Sequence, residues 1–256
     1  MTALVKRAVL ALALPAALVA AWWFASAGSV DFYRPPLQKI LAAFVDTWIG
    51  PRLVDDVLPS VGRLVTGYAL ALILGVALGV LIGLSPALRA AIEPLLEFLR
   101  AIPPPVLVPI IMLFTFGNSL KILVIVSGCV WPILLNTVEG VRAVDPVLRD
   151  TCATYRITGA TRLRQLVLRS ASPQIMTGAR QALSIGIILM VISEMFAASS
   201  GLGFTVVQFQ RGFQIPEMWS GVLLLGLLGL VLSWTFRLVE RRVLAWYHRQ
   251  RATHSL

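Results

Sequence analysis

Residues able to do chemistry are few in this chain, and they do not cluster. The two histidines, His248 and His254, sit together at the C-terminal end, while Cys129 and Cys152 lie in separate segments. No group of His, Cys, Asp and Glu has metal-site spacing, and two cysteines cannot build a secreted disulfide framework. Lys6, Lys39 and Lys121 sit in no glycine-rich loop, so the phosphate cradle Gly-x-x-x-x-Gly-Lys-Ser/Thr is missing. Gly201-Leu202-Gly203 is a lone glycine pair and weak ground for a dinucleotide site. What remains are polar groups set in apolar surroundings: Glu194, Ser193 and Asn136. A carboxylate near hydrocarbon usually has a partner or a role. For Glu194 two readings stay open, a structural hydrogen bond to the turn at Ala197–Gly203 or a place on a pathway or gate. Ser193 and Asn136 are equally ambiguous. No catalytic residue, metal or cofactor is expected.

The surroundings of these groups exclude an ordinary soluble domain. The chain has 256 residues, 58% hydrophobic and 13% charged, where soluble proteins are nearer to about a quarter charged. Nearly charge-free runs cover 8–30, 64–88, 101–120, 122–138, 181–193 and 218–236. A helix crosses a bilayer with roughly 20 apolar residues, so six transmembrane helices is the simplest count, with the fourth and fifth extended into polar flanks. With the N-terminus inside, sixteen of the 22 Lys and Arg fall on inner segments. The other six are Arg34, Lys39, Arg52, Arg63, Lys121 and Arg211, and the twelve acids divide evenly. The positive-inside rule therefore places both termini in the cytoplasm, and a basic cytoplasmic face explains the net charge of +10 without nucleic-acid binding. The first run is longer than a signal-peptide core and ends in Trp22, Trp23 and Phe24, which suits the interfacial belt of a retained helix.

Residues 1–30 thus read as an N-terminal transmembrane helix and 31–60 as an external segment. In the latter, Ile40, Leu41, Phe44 and Trp48 outline a short amphipathic helix on the membrane surface. A five-helix core would span 61–240, followed by a basic cytoplasmic tail at 241–256. Gly67, Gly75, Gly79 and Gly83 put small residues on one face of the second span, where they permit close helix packing. Pro103-Pro104-Pro105 and Pro109 bend or interrupt the third, because proline removes backbone donors.

The functional weight falls on a polar stretch between apolar runs. Seven arginines lie between Arg142 and Arg180, yet Leu148, Cys152 and Tyr155 recur at helical spacing, as do Leu163, Leu166 and Val167. Asp145-Pro146 starts a helix, Thr158-Gly159 breaks it, a second short helix runs to about Leu168, and Pro173 closes the unit. Helix, break and helix at 142–173 make a protruding knob suited to docking a soluble partner.

This stretch resembles the coupling loop of ABC-importer permeases, written Glu-Ala-Ala, three residues, Gly, nine residues, Ile-x-Leu-Pro. Asp150 takes the acidic position, Thr151-Cys152 the paired alanines, Arg156 the glycine, and Leu166, Leu168 and Arg169 the Ile, Leu and Pro. The spacing fits throughout, while the glycine and the proline are replaced. Arg34-Pro35-Pro36-Leu37, Leu58-Pro59-Ser60-Val61-Gly62-Arg63, Ala101-Ile102-Pro103-Pro104-Pro105, Trp131-Pro132 and Glu194 with Gly201-Leu202-Gly203 are similar to the nitrate/sulfonate/taurine branch of these permeases. The likeness extends from about residue 30 to 240.

The resemblance implies an all-α, polytopic, MetI-like permease fold in the bacterial inner membrane. It implies a homodimer working with two ATP-binding cassette ATPase subunits and an extracytoplasmic solute-binding protein, amid membrane lipid. The chain would be a transport subunit and not an enzyme. Asp150, Ala153, Tyr155, Arg156, Thr158, Gly159, Arg162 and Leu166 are its expected ATPase-coupling residues. An ion-coupled carrier would want paired mid-membrane charges and repeated halves, and a membrane enzyme would want convergent polar groups; the sequence offers neither.

Overall fold

Apolar segments in lipid must satisfy their own backbone polar groups, and here they do so as helices. The structure, a computed structural model, describes residues 3–247 and 249, and no strand occurs among them. Helix α1 (Ala3–Ser26) leads through a loop to the short α2 (Leu37–Trp48). A π-helical turn (Leu53–Val57) runs into α3 (Leu58–Leu84). Ser85 caps α4 (Pro86–Ala101) by accepting a hydrogen bond from the Leu88 amide, with Pro86 in the first turn. A 3₁₀ turn (Pro104–Val106) enters α5 (Leu107–Met112), and α6 (Gly117–Arg142) follows. The knob holds α7 (Pro146–Thr154) and α8 (Gly159–Arg162). A second π turn (Leu163–Leu168) joins α8 to α9 (Arg169–Ala197), and α10 (Leu202–Arg211) and α11 (Ile215–Val243) complete the chain.

The core is a three-helix stack in which α6 lies between α3 and α9. Glycines make the first contact. A Cβ on Gly67 would stand 2.8 Å from Ile125, on Gly75 2.8 Å from Ile133, on Gly79 2.6 Å from Thr137 and on Gly83 2.8 Å from Val141. The partner advances in step with the glycine, so α3 and α6 run parallel. The glycine face expected from sequence thus packs one helix. On its other side α6 meets α9 antiparallel: Gly140 faces Ala171, Gly178 faces Pro132 and Gly186 faces Cys129.

Parallel neighbours dictate what lies between them. The chain leaves α3 beside Val141 and must re-enter α6 at Asn118, which bonds Arg63 near the start of α3. From Arg63 to Gly83 is about 30 Å at 1.5 Å per residue, and the 85–116 connection has to cover that length again. It does so as α4 and α5, bent by 76° at a break of a few residues. The expected third span at 101–120 is therefore corrected: the crossing starts at Pro86, and proline splits it. Among the described residues four other helical runs are long and apolar enough to cross a membrane: Leu53–Leu84, Gly117–Arg142, Gly159–Phe196 and Ile215–Val243. The expected fifth span, short in the sequence, is thus part of a 38-residue rod. That rod is about 57 Å long, nearly twice a hydrocarbon core of about 30 Å. Pro173 does not close the knob; it lies inside α9, and the knob's second helix is the rod's own beginning.

Two further features differ from the sequence expectation. Helix α2 does not simply lie on a membrane surface, because Leu37, Ile40, Ala43 and Trp48 are buried against the protein. Trp48 Nε1 donates to Ser220 Oγ at 2.9 Å, and its ring meets Phe209 edge-on. Of the C-terminal tail, His248 and His254 lie outside the described residues. In the part that is described Arg169 lies over the Trp246 ring at 5.1 Å, and just before the tail Glu240 of α11 pairs with Arg180.

The seam predicts its own sensitivity. Gly79→Ala forces a methyl against Thr137 and the Leu134 carbonyl, so it costs about 1–3 kcal/mol of stability, as overpacking does. Gly226→Ala, with open space around it, leaves unfolding in detergent unchanged.

Candidate functional site

Two polar assemblies stand at opposite ends of the rod. At its start, Asp145 caps α7 by accepting from the Val147 amide at 2.8 Å. Arg149 NH2 donates to the Val141 and Arg142 carbonyls at 2.9 and 3.1 Å, tying α7 to the carbonyl end of α6. The helix then ends in a paired-bond turn: Ile157 N donates to Cys152 O at 2.8 Å and Arg156 N to Ala153 O at 3.1 Å. Such a Schellman turn needs a left-handed residue, and Arg156 supplies it with φ 52°. That is the position where the family pattern has glycine. Gly159, φ 59°, turns the chain once more into α8.

The knob is open to solvent. Asp150, Ala153, Arg156, Thr158, Gly159 and Arg162 are exposed, and Tyr155 keeps 75% of its surface. Leu166 departs from the expectation that it faces a partner. It is buried, as is Val167, which packs with Val80, Val141 and Ala171 inside the chain. The wide π turn there points both residues back at the α3–α6 seam, so they anchor the knob.

At the far end of the rod Glu194 has no exposed surface. Its Oε1 accepts from Arg63 NH1 at 2.7 Å and lies 2.7 Å from Ser60 Oγ, and its Oε2 accepts from the Gly203 amide at 3.0 Å. Ser60 Oγ has one proton to donate, to the carboxylate or to the Asp56 carbonyl at 2.8 Å, and it accepts from the Leu202 amide at 3.0 Å. Asp56 Oδ1 accepts from the Gly201 amide at 2.9 Å, and Arg63 Nε donates to Asn118 Oδ1 at 2.8 Å. Lys121, also buried, lies within electrostatic reach of Arg63 and Glu194. Gly201, φ 120°, passes so close that a Cβ there would stand 2.6 Å from the Glu194 carboxyl carbon. Each buried carboxylate oxygen therefore has a donor, as a charge in this setting requires.

The sequence singled out Glu194 and the turn at 197–203, and these do meet. As site residues Asp56, Ser60 and Arg63 escape the sequence reading because it starts the span at Leu64 and leaves the residues before it outside, and Asn118 carries no signal of its own. The helical run begins at Leu53, and the one-turn spacing of Asp56, Ser60 and Arg63 is the signal that would have found them. Ser193 is buried and donates to Met190 O at 2.9 Å, so it serves its own helix. Asn136 is half-buried, with Nδ2 donating to Pro132 O at 2.8 Å and reaching Gln181 at 3.4 Å. Among the described residues no group of His, Cys, Asp and Glu could hold a metal ion.

Two outcomes follow from this geometry. Glu194→Ala or Arg63→Ala strands a buried opposite charge and costs about 3–5 kcal/mol each. Replacing both by Ala costs less than the sum, which a double-mutant cycle of unfolding in detergent reads directly. Arg156→Gly relieves a left-handed residue and stabilises the knob by about 1 kcal/mol, with no change in the membrane helices.

Comparison with known proteins bears on the fold and the family. Residues 71–245 match the family model described as binding-protein-dependent transport system inner membrane component. The chain is 31% identical to the bicarbonate transport system permease of Synechococcus elongatus, over 83% of this chain and 74% of that one. It is 28% identical to a putative aliphatic sulfonates transport permease of Bacillus subtilis, over 92% and 86%. A solved structure of the MetNI methionine ABC transporter in inward-facing form superposes with a TM-score of 0.62 at 18% identity, covering 75% of this chain and 96% of that one. The chain therefore belongs to the inner-membrane components of binding-protein-dependent transport systems, and it is the permease subunit of an ATP-driven importer.

Proposed function

We propose that this permease works as a homodimer with two ATPase subunits docked on its knobs and a solute-binding protein on the opposite face. Each protomer crosses the membrane six times: by α1, the run into α3, the bent α4–α5 pair, α6, the rod and α11. Both termini and the knob are cytoplasmic, in keeping with the arginines gathered at 142–180. The apolar surface left open on α1 and α11, including Leu18, Leu230 and Trp234, suits lipid and the second copy. The solute is a small polar compound, with the sulfonate and bicarbonate permeases among its relatives pointing to anions of the nitrate, sulfonate and taurine class.

The carrying observation is the continuity of the rod, a single 38-residue helical run from Gly159 to Phe196. It begins in the exposed knob and ends in the Glu194 network. A push at Tyr155, Arg156 and Arg162 by a partner that closes on ATP moves the start of a stiff element. The other end of that element is locked to α3 through Arg63 and Ser60. In this reading Glu194 and Ser193 hold the outer end together, and Asn136, beside Gln181 and half-exposed, is the one of the three candidates placed to meet solute.

Exposed cations and an aromatic side chain are the contacts that anchor an interface. Arg156→Glu with Arg162→Glu puts the wrong charge in that contact, so ATPase copurification and uptake are lost while insertion and dimerisation persist. Unchanged copurification and uptake in the double variant would refute the coupling role. Orientation has its own check: an impermeant thiol reagent added outside intact cells labels Gln38→Cys and leaves His254→Cys untouched.

A further inference from the structure

Depth in the membrane is set by α6, whose uncharged stretch from Ile122 to Val138 is centred on Val130. The break between α4 and α5 lies close to that centre, because a Cβ on Gly128 would stand 3.2 Å from Pro104 Cγ. On the knob side of the break α4 packs Ile92 and Leu96 against Ile82, Leu134 and Val138. Its other residues include a charged stripe at Arg89, Glu93, Glu97 and Arg100, spaced to share one face. Arg89 pairs with Glu93 at 3.4 Å and Arg100 with Glu97 at 2.7 Å. Arg100 is four residues before Pro104, and with the extended residues 102 and 103 counted at about 3.3 Å each it stands at most about 12 Å from it. Half a hydrocarbon core is about 15 Å, so Arg100 lies within it, and Glu97 is its ion-pair partner.

Both features are open on the protomer. Glu97 and Arg100 keep about half of their side-chain surface, 56% and 49%, and Pro103 and Pro105 are exposed. Irregular backbone at membrane depth is tolerated only inside protein or beside water, never against lipid. Ionisable side chains at that depth obey the same rule. Pro103, Pro104 and Pro105 carry no N–H and the Ile102 amide donates to Leu99 O at 3.3 Å, so the break presents carbonyl acceptors and no orphan donors. The stripe borders a cleft of about 250 Å³ that Glu139 of α6 closes on one side.

We infer that the α4 stripe and the break at Ile102–Pro104 line the knob-side half of the water-filled translocation pathway. This assignment rests on the permease reading above and adds which residues a leaving solute meets. Two arginines and two glutamates, each paired with the other, give that wall no net charge. It hydrates a small polar solute without retaining it, so an anion released at mid-membrane finds no second binding site on its way out.

The test uses the full chain in membranes with its ATPase subunit. Cys129 is wholly buried and stays, and Cys152→Ser removes the remaining thiol. Single cysteines at Ile102 and Glu97 are treated with N-ethylmaleimide, which reacts only with thiols that water can ionise. Val147→Cys in the knob is the exposed reference; Leu74→Cys and Leu230→Cys, at mid-length of apolar helices, are the lipid-side references. Labelling at 102 and 97 as complete as at 147, with none at 74 or 230, is the expected result. Labelling at 102 as poor as at 230 overturns the inference, as does a disulfide joining position 102 of two copies without labelling, which would make this face a subunit interface. Full labelling that ATP and vanadate leave unaltered upholds the lining and counts instead against coupling through the knob.

Discussion

Close parallel packing of α3 on α6 is the constraint from which the rest of this architecture follows. In lipid, apolar burial gives no drive between helices, so contact depends on how near two backbones can come. Gly67, Gly75, Gly79 and Gly83 bring them near enough that no other residue fits. Because the helices run in the same direction, the intervening chain has to return through the membrane, and it returns as the bent α4–α5 pair. The same seam fixes the two ends. One end brings Arg63 to Asn118 and Lys121 at the start of α6, and the other brings Val80 and Val141 to Val167 at the root of the knob.

The polar network at the Glu194 end is best understood as the termination of that seam. A buried Arg–Glu pair gives little net stability by itself, since both ions lose hydration. What it gives here is position. Glu194 holds the end of the rod, Arg63 and Ser60 hold α3, and the amides of Gly201, Leu202 and Gly203 bring in the turn to α10. A mismatch of one residue would leave a charge unpaired in a dry site, so the pair specifies register even where it adds little energy.

Much of this was legible in the sequence, for identifiable reasons. Helix type and knob position follow from apolar runs and arginine clustering, which are compositional. The α3 packing face follows from glycine spacing, which is periodic. What could not be read are features that depend on a neighbour. Leu166 has the spacing of an exposed amphipathic face, yet a π turn rotates it inward. Arg63 looks like a loop cation until the helix is seen to begin ten residues earlier, at Leu53. Arg156 in a glycine's place looked like a departure from the family's turn, and the backbone shows the turn intact with the strain accepted.

That accepted strain suggests how form and use are divided along the rod. A left-handed arginine costs roughly 1–2 kcal/mol where glycine would cost nothing, and no hydrogen bond from its guanidinium within the described chain offsets it. The turn leaves that guanidinium exposed, with five donors in a fixed fork. It thus holds a donor-rich cation in solvent just before the rod begins at Gly159, while at the opposite end both Glu194 oxygens are bonded internally. One end of the 38-residue run is left open to solvent and the other is closed on itself.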